Sequence, residues 1–148
     1  MGATVESLEE GIRVSMRGRP HPIRLETGPY PEFPTDMQSV MMAAASIADG
    51  TSRIQENVFE NRFCAAKELQ KLGAHIIIEN KLAVVDGVNA LKGTRMAAED
   101  LRGGAALAVA ALAADGTSFL DGYEHISRGY EDIRSDLAGA GARISLIG

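Results

Sequence analysis

Four charged residues stand where apolar, helix-periodic segments begin: Asp36, Arg62, Arg102 and Arg128. Asp36 and Arg102 are 66 residues apart, and so are Arg62 and Arg128. A helix N-terminus carries free N–H groups and a partial positive charge, which suits a phosphate or a carboxylate. Arginine at that end works against the helix dipole, so three arginines placed there suggest an external anion. The competing reading pairs each one with a nearby acid such as Glu60, Asp100 or Glu131. Thr35 can cap the helix that Asp36 opens, and an acid in a first turn favours the dipole. On this ground alone Asp36 reads as a helix-start acid. The run from Pro29 to Pro34 before it is rigid, and would present that acid at a fixed place.

Other chemistry-bearing residues carry less. Cys64, in the first turn of a helix, is open to a lowered pKa, but reads more simply as a small apolar filler. His21, His75 and His125 lack metal-ligand spacing, and His75 lies in an apolar strand with a structural role. Arg13, Arg17, Arg19 and Arg24 alternate as a solvated strand face does. Arg102-Gly103-Gly104 is too short for a phosphate loop of the usual kind.

The elements that hold these residues come in two copies. Ile47-Ala48-Asp49-Gly50-Thr51-Ser52 returns as Ala113-Ala114-Asp115-Gly116-Thr117-Ser118, and each is preceded by an almost unbroken apolar run. Each copy opens with a short extended piece, 23–26 or 94–97. An apolar helix over 36–48 or 100–114 follows, and an Asp-Gly pair ends it. Then come a short strand, 52–55 or 118–120, and an amphipathic helix over 61–72 or 128–140. Phe63, Ala66 and Leu69 would face inward in the first of these, Ile133 and Leu137 in the second. Strands at 75–78 and 82–85 close the first copy, and Arg143 to Leu146 closes the second. One more strand, from Gly11 to Met16, precedes both. The first helix of each copy is apolar nearly all round and must be covered on several sides, so an α/β fold with helices buried beneath sheets is expected. The copies span about 20–88 and 92–148 of one domain.

The chain has 148 residues, 45% of them apolar, 24% charged and 5% aromatic, which fits one soluble globular domain. Its 15 Lys and Arg against 20 Asp and Glu leave a net charge of −5, which argues against nucleic acid and anionic membranes as partners. A single cysteine excludes an internal disulfide and a multi-cysteine metal site. No signal-peptide pattern or membrane-length apolar run is present, so a cytoplasmic protein is expected.

Five segments then occur in order: Thr27-Gly28-Pro29, Phe33-Pro34-Thr35-Asp36-Met37-Gln38, Phe59-Glu60-Asn61-Arg62-Phe63, Asp100-Leu101-Arg102 and Arg128-Gly129-Tyr130-Glu131. Together they closely resemble the UDP-N-acetylglucosamine 1-carboxyvinyltransferases, the enolpyruvyl transferases that open peptidoglycan synthesis. The resemblance covers nearly the whole chain but only the final third of such an enzyme. It separates the chain from the sister enzyme of the shikimate pathway. The fold it implies is two inside-out α/β domains, each of three βαβαββ units around buried helices, with substrates in the cleft between them. The reaction it implies moves enolpyruvyl from phosphoenolpyruvate to the 3-hydroxyl of UDP-N-acetylglucosamine, with release of phosphate through a tetrahedral intermediate. No metal or organic cofactor is implied.

By the same resemblance Asp36 binds the sugar and is the general base for its hydroxyl, and Asp100 is a second acid near the reacting centre. Arg102 and Arg128 hold the carboxylate and phosphate of phosphoenolpyruvate. Arg62 is a further active-site arginine, and Val58 makes a backbone contact to the nucleotide sugar. The family's catalytic-cysteine loop, its N-terminal lysine–asparagine pair and its main uridine pocket have no counterpart here, and Cys64 does not align with that cysteine. The expectation is therefore a C-terminal part that is inactive alone and needs the N-terminal part as partner. The alternatives are a non-catalytic module that binds a nucleotide sugar or a partner protein, and a half-enzyme that dimerises.

Overall fold

The computed structural model describes residues 1–147. It opens with an antiparallel hairpin of β1 (Thr4–Leu8) and β2 (Gly11–Ser15), in which Val5 faces Val14 and Glu6 faces Arg13. Only the second of these strands is expected from the sequence.

β3 (Arg24–Glu26) leads through a 3-10 turn, Thr35–Met37, into α1 (Gln38–Ala45), and the chain returns as β4 (Thr51–Gln55). β3 and β4 are parallel, as a crossover of this length through a helix allows. α2 (Ala65–Lys71) follows, then β5 (His75–Glu79) and β6 (Leu82–Asp86). The four strands make one sheet in the order β3-β4-β6-β5, with β6 antiparallel to both neighbours.

The chain continues through β7 (Leu91–Lys92), β8 (Arg95–Ala97), α3 (Leu101–Leu112), β9 (Ala114–Asp115), β10 (Phe119–Asp121), α4 (Tyr123–Ser127) and α5 (Ile133–Gly139). β8 and β10 are parallel neighbours flanking α3, as β3 and β4 flank α1. β7 pairs with β9. This is the mixed α/β architecture expected.

The two apolar helices form the centre. α1 buries Met42, Ala43 and Ala45, and α3 buries Gly103 through Ala108 together with Ala110. Small residues on both let the backbones pack closely. Leu25, Ile54, Leu69, Leu72, Ile76, Val85, Leu91, Met96 and Leu107 complete one cluster, so the sheet, α2 and both central helices share a core. Ala98, Ala105, Ala108, Ile126 and Ile133 form a smaller one under α4 and α5.

Several boundaries differ from expectation, each because the backbone is engaged elsewhere. α1 stops at Ala45 rather than 48: the Ser46 hydroxyl bonds back to the Met42 carbonyl, and the Ser46 carbonyl accepts from the Val88 N–H. Arg19 caps the turn beyond α1, donating to the carbonyls of Ile47, Ala48 and Val88 and to Asn89, so it belongs to no solvated face. α3 ends at Leu112 because Ala114 and Asp115 pair with β7. Gly50 and Gly116 both take positive φ (132° and 95°), the turn role expected of the Asp-Gly pairs.

α2 begins at Ala65, four residues late; the second amphipathic helix is α5, which begins only at Ile133 because 128–132 is a loop, and α4 ahead of that loop is not expected from the sequence. His75 is exposed at the start of β5. Arg143 to Leu146 forms no strand, since no edge among the described residues pairs with it, and Ile144 and Leu146 stay exposed.

Candidate active site

Of the four residues expected at helix starts, one sits in the first turn of an α-helix. Arg102 is the second residue of α3, behind the N-cap Asp100. Asp36 lies in the 3-10 turn ahead of α1, whose own N-cap position, Pro34, makes no side-chain bond. Thr35 caps nothing; its hydroxyl donates to Glu56 Oε2 at 2.8 Å. Arg62 precedes α2 in a loop, and Arg128 closes α4. The dipole argument therefore fails for Arg62 and Arg128, which no helix start repels.

Three of the four nevertheless converge. Arg102 grips Asp36 with two parallel bonds, Nε to Oδ1 at 2.8 Å and Nη2 to Oδ2 at 3.0 Å. Arg62 Nη2 donates to the same Oδ1 at 2.6 Å. The internal partner of both arginines is thus Asp36, not the adjacent acids. The bond from Arg102 outweighs the modest cost of burial and, with both arginine charges, holds the Asp36 carboxyl below the usual carboxylate range. The Arg62 guanidinium lies 4.8 Å from the centre of the Phe59 ring. Its Nε is buried with no hydrogen-bond partner among the described residues.

Arg128 is exposed and joins no ion pair with the described residues. Its position is set by Gly129, where a Cβ would meet the Leu101 side chain at 2.5 Å, so the loop packs against the start of α3 beside Arg102.

Asp100 is occupied by structure. Its Oδ1 accepts from the N–H groups of Arg102 and Gly103, both at 2.9 Å, and its Oδ2 from the Cys64 thiol at 2.8 Å. Burial opposes its ionisation, but the thiol, the two N–H groups and the Arg62 charge win and hold its pKa down. Burial, the bond to Asp100 and its negative charge push the Cys64 thiol up to about 11. Cys64 is therefore neither an apolar filler nor an activated thiol. Two units above the ordinary 9.0 means about a hundredfold less thiolate at neutral pH, partly offset by greater intrinsic nucleophilicity. Iodoacetamide should label this exposed cysteine roughly ten- to a hundredfold more slowly than an unperturbed one. Asp100→Asn, which can still cap α3, should speed the labelling; equal rates would refute the account.

Sequence reasoning missed Glu56, which is 1% exposed. Its Oε1 accepts from the N–H groups of Val58 (2.8 Å) and Phe59 (3.0 Å). Val58 therefore has its N–H committed, and only its carbonyl is left for a backbone contact to a ligand. Burial alone would raise the Glu56 pKa, but those N–H groups and the hydroxyls of Thr35 and Thr27 hold it below the usual value. The signal was present: Ser52 and Ile54 are the buried positions of β4, and alternation carries Glu56 to the same side. Among the described residues no three His, Cys, Asp or Glu side chains come together as a metal site would require, and no helix is long and apolar enough to cross a membrane.

A buried helix pair, each helix flanked in sequence by parallel strands, has a clear family counterpart. Residues 1–137 match the model of the EPSP synthase (3-phosphoshikimate 1-carboxyvinyltransferase) family, and the chain belongs to that family. Within it, the chain is 52% identical over 143 residues to the UDP-N-acetylglucosamine 1-carboxyvinyltransferase of Anaeromyxobacter sp. (strain Fw109-5), covering 97% of this chain and 34% of that protein. The enzyme of the same name from Desulfofundulus thermocisternus is 50% identical, over 97% of this chain and 59% of its own length. Among solved structures, the enolpyruvyl transferase NikO from Streptomyces tendae superposes with a TM-score of 0.87 at 32% identity, over 98% of this chain and 34% of its own. EPSP synthase from Acinetobacter baumannii shares the fold, with a TM-score of 0.65 at 17% identity over all of this chain and 35% of its own. The chain spans about a third of the length of the first of these relatives.

Proposed function

We propose that the chain forms one wall of the active site of a UDP-N-acetylglucosamine 1-carboxyvinyltransferase, an enzyme of the first committed step of peptidoglycan synthesis. The observation that carries this is the convergence of Arg62 and Arg102 on Asp36, an anion-binding pair held closed by an internal carboxylate.

In this reading phosphoenolpyruvate brings a carboxylate and a phosphate to Arg102 and Arg128. Bidentate guanidinium is suited to both groups. Arg62, with its unpartnered Nε, adds a third donor. As the arginines turn to the substrate, Asp36 is released. Its pKa rises, and it becomes able to take the proton of the sugar 3-hydroxyl as that oxygen adds to C2 of phosphoenolpyruvate. C3 takes up a proton from water or from a group of the opposite wall to complete the tetrahedral intermediate. Return of a C3 proton to that acceptor, with breakage of the C2–O bond to phosphate, then restores the double bond, and the bond's electron pair leaves on the phosphate. Charge stabilisation by the arginines is the main contribution of this wall. Asp100 fixes the start of α3 and thereby the root of Arg102, while the Val58 carbonyl is free for the nucleotide sugar.

The chain is two repeats of a three-repeat domain, and the opposite wall belongs to the N-terminal part of the enzyme. Phosphate release with both substrates should be negligible from the chain alone. It should appear when the chain is co-expressed with the N-terminal two-thirds of the Anaeromyxobacter relative. Turnover at ordinary enzyme rates by the chain alone, or none from a complex that forms, would refute the reading.

A further inference from the structure

Glu56 is the buried titratable group that the proposed chemistry leaves unused, and its partners link the segments that carry the site. Thr35, which donates to Glu56 Oε2, immediately precedes Asp36. Phe59, whose N–H is held by Oε1, places its ring against the Arg62 guanidinium. Arg62 then donates to Asp36. The contacts close a ring: Glu56 to Phe59, Phe59 to Arg62, Arg62 to Asp36, and back through Thr35 to Glu56. Thr27, 2% exposed at the end of β3, braces it by accepting from the Asn57 N–H at 2.9 Å.

We propose that Glu56 is the positioning residue that sets Arg62 against Asp36, locking the 57–62 loop and the turn before α1 into one rigid unit. This rests on the reading of Asp36 and Arg62 as site residues given above. Arg102 fixes the other side of Asp36, so it is the Arg62 side that needs a support. The loop has no regular structure between β4 and α2, and the side chain of Asp36 is 56% exposed. One carboxylate takes both N–H groups and the hydroxyl, and charge-assisted bonds of this kind are about twice as strong as neutral ones.

The test is the titration of the Asp36 carboxyl by NMR on the labelled chain, in wild type, Glu56→Ala, Glu56→Gln and the core control Val85→Ala. In Glu56→Ala the cross-peaks between the Phe59 ring and the Arg62 side chain should vanish, and the Asp36 midpoint should move up only by the share that Arg62 contributes, while Arg102 still holds it below the ordinary carboxylate range. The direction discriminates, because loss of a neighbouring negative charge by itself would move Asp36 down. Val85→Ala should lower Tm and leave the Asp36 midpoint in place. If Glu56→Ala does not fold, the near-isosteric Glu56→Gln carries the test through faster exchange of the Val58 and Phe59 amides and weaker Phe59–Arg62 cross-peaks, because a neutral amide oxygen is a weaker acceptor than a carboxylate. A folded Glu56 variant with the wild-type Asp36 midpoint and cross-peaks would overturn the proposal.

Titration with UDP-N-acetylglucosamine of the complex between the chain and the N-terminal two-thirds of the Anaeromyxobacter relative separates this from the functional reading. Failure of the wild-type complex to bind would count against the proposed function and leave the Asp36 result standing. Equal binding by wild type and Glu56→Ala would overturn the positioning role, for which a roughly ten- to hundredfold loss is expected.

Discussion

Asp36→Asn should strengthen anion binding by the isolated chain while abolishing most turnover of the assembled enzyme. The opposite signs follow from the two roles that the proposed function gives Asp36. As a carboxylate it occupies the forks of Arg102 and Arg62, so an incoming anion must displace it. The ion pairs are solvent-exposed, and such pairs are typically worth ~0.2–1 kcal/mol each. Losing two of them should tighten sulfate binding by roughly two- to thirtyfold. As general base, however, Asp36 should supply roughly two to four orders of magnitude in rate, which the amide cannot.

A pH dependence accompanies this. Because Arg102 and Arg62 hold the Asp36 pKa below the ordinary 3.8, the residue is ionised and competing at neutral pH. Anion binding draws the arginines away and raises that pKa, so by linkage protonation must favour anion binding. Sulfate affinity of the wild type should rise as the pH falls through the carboxylate range, and that rise should be missing in Asp36→Asn. Calorimetry would show it. Weaker sulfate binding by Asp36→Asn would mean that the carboxylate orients the arginines rather than competing with them.

What the sequence could reveal of this arrangement divides along physical lines. Apolar runs marked α1 and α3 as buried helices because an all-round apolar surface has to be covered. The 66-residue offset marked Asp36 and Arg102 as equivalent positions. It could not reveal that they touch. Equivalence is a property of the local pattern, whereas contact depends on how α1 and α3 pack, and here that brings their starts together. The helix-start reading of Arg62 and Arg128 went astray because the amphipathic period extends into loops that Glu56 and Leu101 tie down, and periodicity does not see those ties.

Glu56 itself is legible from strand alternation, although a glutamate beyond a strand end is usually solvated. The run Arg143 to Leu146 shows the converse. Its β-rich composition predicts a strand, yet a strand is a property of two segments, and no described segment pairs with it. The resemblance proposes roles that composition and spacing alone leave open, but the occupied state of Asp100 and the committed N–H of Val58 are visible only in the structure.

Arg102→Lys is the sharper test of the anion site, because it keeps the charge and removes the geometry. In the structure Arg102 uses Nε and Nη2 together on one carboxylate. A planar phosphoenolpyruvate carboxylate can replace that of Asp36 on the same fork, while an ammonium offers a single point of attachment. Exposed charged contacts of this kind are worth ~0.2–1 kcal/mol each. Loss of one should therefore weaken phosphoenolpyruvate binding by up to about fivefold, and Arg102→Ala should weaken it further. Fold stability should change little in either variant, because the cap of α3 is made by the backbone N–H of residue 102 and not by its side chain. Calorimetry with phosphoenolpyruvate, read beside thermal melts, separates the outcomes. A lysine variant that binds as tightly as wild type would reduce the site to a general positive potential. A loss of Tm matching the loss of affinity would make Arg102 a structural anchor for Asp36, with no part in holding the substrate.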